Sequence, residues 1–444
     1  MNFQLSISNI IFILLLIAGS GLFFLNAIKI RRNILLGKNV DRSDRKSERW
    51  KIMTMVALGQ KKMFFRPVPA MLHLFVYVGF VLINIEVLEM FIDGAFGTHR
   101  YLSLLNSQDF HFYNFLVGFF EVLAFFVTFG CALFLVRRNI LHVKRLAMKE
   151  LNGWPRTDAN LILISEILLM SALFLMNAAD QALQQIGSEH YFATGSFPVS
   201  KFIVPILGGM PEQSLIMIER SCWWFHIIGI MGFLNYLVVS KHLHILLAFP
   251  NVFYSNLNPK GRFTNLESVT NEVKAMLDPT SSPSPSPAGE GNNRFGAKDV
   301  FDLTWKQLMD SYSCTECGRC TSACPANQTG KLLSPRKIMM DTRDRLEEVG
   351  KNIDKNGKFT DDGKSLLGNY ISAEELWACT SCNACVQECP VNIDPLGIII
   401  DIRRFLVMEQ SAAPQSLNMM SANIENNGAP WQYSPADRLN WAKE

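Results

Sequence analysis

One cysteine pattern occurs twice in this chain: Cys314, Cys317, Cys320 and Cys324-Pro325, then Cys379, Cys382, Cys385 and Cys389-Pro390. Each copy reads C-x2-C-x2-C-x3-C-P, the bacterial run for 4Fe-4S clusters, in which the fourth cysteine of each copy ligates the cluster of the other. Three closely spaced thiolates hold three corners of one cubane. The fourth, displaced by a turn that ends in proline, points toward the neighbouring cluster. The expected ligand sets are therefore Cys314, Cys317, Cys320 with Cys389, and Cys379, Cys382, Cys385 with Cys324. Zinc is the alternative, since C-x2-C pairs also build zinc ribbons. A structural zinc site has no use for a third evenly spaced cysteine followed by a Cys-Pro step.

The rest of the 444 residues divides sharply. The first 250 residues carry nearly all the long apolar stretches, and the remainder carries eight of the ten cysteines. This split describes a membrane part joined to a water-soluble redox part. Cys131 and Cys222 lie in or beside apolar spans and read as small hydrophobes. The net charge of +3 is too small to argue for nucleic acid. Thiolate clusters need a reducing compartment, which places the C-terminal part in the cytoplasm.

Five stretches are long enough to cross a bilayer, approximately 10–30, 70–92, 113–136, 161–182 and 222–249. The first has no basic residue ahead of it and Lys29, Arg31 and Arg32 close to its end, so it reads as an uncleaved anchor. Segment 31–68 holds eleven Lys and Arg and segment 137–158 holds six, against only Arg100 in 93–112 and only Lys201 and Arg220 in 183–221. By the positive-inside rule the N-terminus is outside and the cysteine-rich part is in the cytoplasm, as expected for a bacterial inner-membrane protein.

Histidines in such spans are costly and usually functional. His226 and His244 are eighteen residues apart. On one continuous helix that is five turns, with both rings on one face about 27 Å apart, and His242 about 160° away from His226. His73 lies near the cytoplasmic end of the second span, level with His244. Two imidazoles from facing helices at one depth suit a low-spin b-type haem. A hydrogen-bonded or snorkelling histidine is the plain alternative. At the outer side Phe80 and Asn84 occupy the face of His73, so a second haem on His226 requires His111 or His99. Glu86, Glu89 and Glu121 also lie in the outer half, where Glu86, Glu121 and His226 are candidates to exchange protons with a quinone. Carboxylates there equally serve as caps or ion-pair partners.

Residues 281–291 read as a semi-extended Ser/Pro linker. Ser334-Pro335 and the capping box Ser372-x-x-Glu375 start helices on either side of the second run's approach. The stretch 395–409 places Leu396, Ile399, Ile400, Phe405 and Leu406 on one stripe, with Arg403 and Arg404 outside. The expectation is an all-α chain. Residues 1–255 form a transmembrane cytochrome b-like bundle, 256–298 a linker, 299–410 a two-cluster α-helical ferredoxin domain, and 411–444 a partner-docking tail.

With Ile393-Asp394-Pro395 and the Arg-Arg helix, the cysteine runs resemble the ferredoxin part of heterodisulfide reductase and glycerol-3-phosphate dehydrogenase iron–sulfur subunits. The five spans resemble the gamma, cytochrome b subunit of respiratory nitrate reductase. That resemblance implies a cytoplasmic-side haem b ligated by His73 and His244, with His226 matching a third haem-binding histidine. Ile83 stands where that family has its fourth. The whole chain thus resembles a fused, membrane-bound heterodisulfide-reductase-type subunit. The tail 426–441 is similar to a segment that leads, in fused relatives, into a domain with CCG motifs. A separate polypeptide carrying such a domain, or a flavoprotein, is the expected partner.

The leading functional expectation is an electron conduit between the quinone pool, haem b, two 4Fe-4S clusters and a soluble cytoplasmic partner. On this expectation the chain is a subunit rather than a complete enzyme. No Gly-rich phosphate loop follows a strand, so no nucleotide site of that type is expected. A membrane-anchored iron–sulfur redox sensor is the alternative. Two clusters sharing ligands suit transfer better than sensing. A transport subunit carrying a ferredoxin lacks support, because no paired Gly/Pro-broken spans are present.

Overall fold

The computed structural model describes residues 6–106, 111–195, 197–277 and 294–443. Among these the chain is all-helical without strands, five long apolar helices being followed by shorter ones. The long helices are α1 (Ile7–Ile34), α2 (Pro67–Phe96), α3 (Phe112–Asn139), α4 (Trp154–Ile186) and α5 (Glu212–Tyr236). All five are long and apolar enough to cross a membrane. Their ends follow local chemistry. Ser6 and Asn9 form a capping box before α1, Pro67 opens α2 at its first position, and left-handed Gly97 (φ 69°) closes it.

Small residues let these helices approach. A Cβ on Gly79 of α2 would lie 2.2 Å from Val127 of α3, and one on Gly94 2.8 Å from the Phe12 ring of α1. The resulting core joins Phe12, Ile83, Phe120, Leu173, Trp223 and Ile227. Ile7, Ile10, Leu14 and Ile17 of α1 point outward uncovered, a face suited to hydrocarbon.

The fifth span departs from the continuous helix expected over 222–249. It starts ten residues earlier at Glu212, and after a 3-10 turn to Val239 it breaks at Ser240, whose backbone is extended (φ −109°, ψ 152°). Asp158 of α4 causes the break. Its carboxylate accepts hydrogen bonds from the Ser240 hydroxyl at 2.6 Å and the Lys241 amide at 3.1 Å, and from the Tyr236 hydroxyl. A new helix, α6 (His244–Phe253), then sets off from His244. The five-turn phase relating His226, His242 and His244 therefore does not hold: the His242 and His244 rings lie side by side, with centroids 5.4 Å apart.

The second part packs directly onto one end of this bundle. Its core of Leu308, Ile338, Ile399 and Ile402 is continuous with Ile34 from α1 and Leu243 from the break. Lys38 pairs with the strand-like segment before α7 (Trp305–Ser313), its amide donating to Leu303 at 2.7 Å and its carbonyl accepting from Trp305 at 3.0 Å. Both predicted caps are present, at Ser334 and Ser372. The helix after Ser334, α9 (Pro335–Asn356), lies beyond the short helix α8 (Arg319–Ala323) of the first run. The second run carries α10 (Ala384–Glu388), followed by α11 (Pro395–Met408), which buries Leu396, Ile399, Phe405 and Leu406 while Ile400 is half-buried. The Ser/Pro linker 281–291 lies outside the described residues.

Candidate functional site

The two cysteine runs fold alike, residue for residue. In the first, Glu316 and Gly318 take left-handed φ values of 55° and 71°; in the second, Ser381 and Asn383 take 56° and 61°. Such alternation turns successive amides inward, a concavity typical of Fe–S sites. α8 and α10 then pack against each other, and Cys324 and Cys389 leave them in matching extended conformations. Cys389 comes within electrostatic reach of Cys317 and Cys320, and Cys324 within reach of Cys379 and Cys385.

These surroundings fit clusters. The amide of Ser381 donates to Cys379 Sγ at 3.4 Å and that of Ile393 to Cys389 Sγ at 3.3 Å, the type of bond that tunes cluster potentials. Burial pushes the Cys314 thiol up to about 12 and the Cys389 thiol up to about 11. Such groups become thiolates at neutral pH only when a metal replaces the proton. Among the described residues, no three His, Cys, Asp or Glu side chains converge on a single-ion site. A cubane instead asks for one thiolate on each of four irons.

The first run faces the bundle. Arg145, from the loop after α3, donates to the Cys317 carbonyl. Lys62, from the loop before α2, donates to the Cys389 carbonyl at 3.0 Å. Arg319 of α8 returns hydrogen bonds to the Lys62 and Met63 carbonyls at 3.2 and 3.3 Å. Glu316, between Cys314 and Cys317, is buried and takes an ammonium from Lys241 and a guanidinium from Arg343 at 2.8 Å. Burial alone would raise its carboxyl, and the two cations hold it below the usual carboxylate range. The basic loops, in sequence a sign of orientation only, thus also bind the cysteine loops.

Behind this seam, His73 of α2 lies within electrostatic reach of His244 and Arg319, and His242 within reach of both His73 and His244. The imidazoles of His73 and His244 are held alike. His244 Nδ1 donates to the Lys241 carbonyl at 3.1 Å, and His73 Nδ1 meets Gln60 Oε1 at 3.1 Å. A hydrogen bond from Nδ1 leaves Nε2 as the free lone pair, the arrangement a metal-ligating imidazole needs. Neither Nε2 makes a hydrogen bond among the described residues. The residues present therefore fit a bis-imidazole haem, which when bound would supply a one-electron centre beside the first run. Gln60 and Lys241 had no distinguishing signal in the sequence.

At the far end of the bundle a cavity of about 400 Å³ is lined by Glu86, Glu89, His99, Arg100, Asp180 and Glu219 among others. Glu86 is 4 % exposed and its Oε1 has no hydrogen-bond partner; His226 is 2 % exposed and its Nδ1 has none either. Glu121 is placed differently. Its carboxylate accepts from the Val199 amide at 2.8 Å, the Ser200 amide at 3.2 Å and Asn177 at 3.3 Å, fastening the loop before α5. Glu89 accepts from Tyr113 and from the Leu102 amide, both at 2.8 Å. His99 stands 3.7 Å from Asp180, His111 is exposed, and Ile83 is buried in the bundle core.

Residues 313–393 match the 4Fe-4S dicluster domain family. Over 99 % of its length the chain is 28 % identical to a probable iron-sulfur-binding oxidoreductase, FadF, of Bacillus subtilis, covering 61 % of that protein. It is 25 % identical, over 98 % of its length, to an EtfAB:quinone oxidoreductase of Syntrophomonas wolfei, of which it covers 59 %. A probable membrane-anchored ferredoxin of Chromohalobacter salexigens is 33 % identical over 34 % of the chain and 24 % of that relative. The chain thus spans about three fifths of the length of the first two relatives. No solved structure matches. The chain is an iron–sulfur protein of oxidoreductase type, with a 4Fe-4S dicluster domain and a relationship to heterodisulfide reductase subunits and to FadF.

Proposed function

We propose that this chain is the membrane electron-transfer subunit of a quinone-linked respiratory oxidoreductase. Electrons pass between a membrane quinone and a soluble partner by way of haem b, held by His73 and His244, and two 4Fe-4S clusters. Cys314, Cys317, Cys320 and Cys389 hold one cluster, and Cys379, Cys382, Cys385 and Cys324 the other. The observation that carries this reading is the order of the sites: the His73–His244 pair, then the first run seated on it through Lys62, Arg145 and Lys241, then the second run, whose Cys382 is exposed. The shared name element of the Syntrophomonas relative, a quinone oxidoreductase, supports the quinone.

In this reading residues 1–255 form the membrane unit with its N-terminus outside, 256–298 connect it to the cytoplasmic ferredoxin unit 299–410, and 411–444 dock the partner. That partner is a flavoprotein or a CCG-domain subunit. Quinone protons exchange at the far cavity among the candidates Glu86, Glu121 and His226. Glu86 is the best placed, because it lines the cavity with an unpartnered oxygen. The deciding experiment is anaerobic purification followed by quinol addition, with optical and EPR spectra recorded. The expected result is a reduced b-type haem and then reduced clusters. A protein that holds both centres and transfers nothing from quinol sinks the conduit reading in favour of a sensor.

A further inference from the structure

We propose that the chain exchanges electrons with an acidic soluble redox protein across the rim of Cys382, where Lys260, Arg262 and Arg403 form a basic collar. This rests on the conduit reading above and adds the surface and the kind of partner. Electron transfer between proteins needs close approach of the two centres, so the exposed edge of the chain's outermost site decides where a partner binds. Seven of the eight run cysteines are buried or half-buried, and Cys382 alone is exposed. The other run is covered by the bundle through the Arg145, Lys62 and Arg319 contacts. A shallow depression at Cys382 is lined by Ser381, Asn383, Gln387, Lys260 and Gly261.

The charges around that depression share one sign and are not neutralised. Lys260 and Arg262 are exposed, with Lys260 donating to Gln387. Arg404 of α11 donates to the Thr264 carbonyl, which ties this loop beside the second run. Arg403 donates to the Leu376 carbonyl at 2.6 Å and lies 4.9 Å over the Trp377 ring. None of the three collar cations is ion-paired with a carboxylate among the described residues, because Glu388 is taken by Arg66 and Asp401 by Arg404. Uncompensated rim charge of one sign steers a partner of the other. The complementary partner carries acidic side chains round its own redox centre.

The test uses the full chain in detergent, reduced with dithionite and reoxidised by the trianion ferricyanide or the trication hexaamminecobalt(III), followed by freeze-quench EPR of the reduced clusters. Each event moves one electron from the reduced protein to the metal of the oxidant, with no proton or bond exchanged. The rate with ferricyanide should fall as salt rises. The double variant Lys260→Glu with Arg262→Glu should slow it about tenfold at low salt and speed the cobalt reaction, with iron and sulfide content unchanged. A cluster-loaded double variant whose two rates match those of the parent overturns the collar. Protein without iron and sulfide overturns the conduit reading instead.

Discussion

Lys241 and Glu316 meet across the seam between the helix bundle and the first cysteine run, with the buried ammonium of one donating to the buried carboxylate of the other. The same Lys241 accepts the Nδ1 hydrogen of His244 on its carbonyl at 3.1 Å. One residue thus fixes an imidazole through its backbone and a cysteine loop through its side chain. Lys241→Met leaves Glu316 with Arg343 alone at 2.8 Å. Losing one partner of a buried ion pair costs about 3 kcal/mol. Thermal unfolding followed at the cluster absorbance should show that loss for Lys241→Met and a smaller one for Lys241→Arg. A methionine variant as stable as the parent would show that the pair contributes nothing to docking.

Two complete runs call for about eight irons and eight inorganic sulfides per chain. Metal and sulfide assay of anaerobically purified protein checks this. Cys324→Ser and Cys389→Ser should each damage the cluster of the opposite run, so the EPR signal lost identifies the cross-ligation. Stoichiometric zinc, or about four irons, contradicts the two-cubane assignment.

His73→Ala or His244→Ala should abolish the b-type optical spectrum. His242→Ala should retain it, because the His242 side chain has neither the carbonyl nor the amide that fixes Nδ1 in the other two. Gln60→Leu, which frees the His73 ring, should weaken haem retention about 10- to 100-fold. Loss of the spectrum in His242→Ala, with His244→Ala unaffected, would reassign the ligand to the neighbouring ring.

Glu86→Gln keeps size and removes the ionisable oxygen that faces the far cavity. Quinol-driven reduction should slow by about tenfold or more while dithionite-driven reduction stays unchanged, as expected for loss of a general base. Glu121→Gln should act chiefly on stability, since its carboxylate fastens Val199 and Ser200. Parent-like quinol kinetics in Glu86→Gln, Glu121→Gln and His226→Ala together would move the quinone to the His73 end.

Much of this architecture was legible because it is local. Apolar length alone marked four of the five spans to within about seven residues at either end, since a helix in hydrocarbon must satisfy its own backbone over the full thickness. Ser334 and Ser372 announced their helices because a cap acts on amides two or three residues away. The cysteine spacing likewise dictated matching loops at Glu316–Gly318 and Ser381–Asn383, a geometry confined to ten residues each.

Three features needed the tertiary structure. The break at Ser240 is made by Asp158, 82 residues earlier in the chain, whose carboxylate competes with the helix for the Ser240 hydroxyl and the Lys241 amide. A periodicity argument assumes an uninterrupted helix, and so it placed His242 and His244 on different faces. Glu86 and Glu121 read alike as carboxylates in apolar spans; only packing gave one a loop to hold and the other an open cavity. Spacing and apolar length act through the chain's own backbone and are determined by the sequence alone. Which buried polar group finds a partner depends on residues brought together from distant segments, and the tertiary structure decided it.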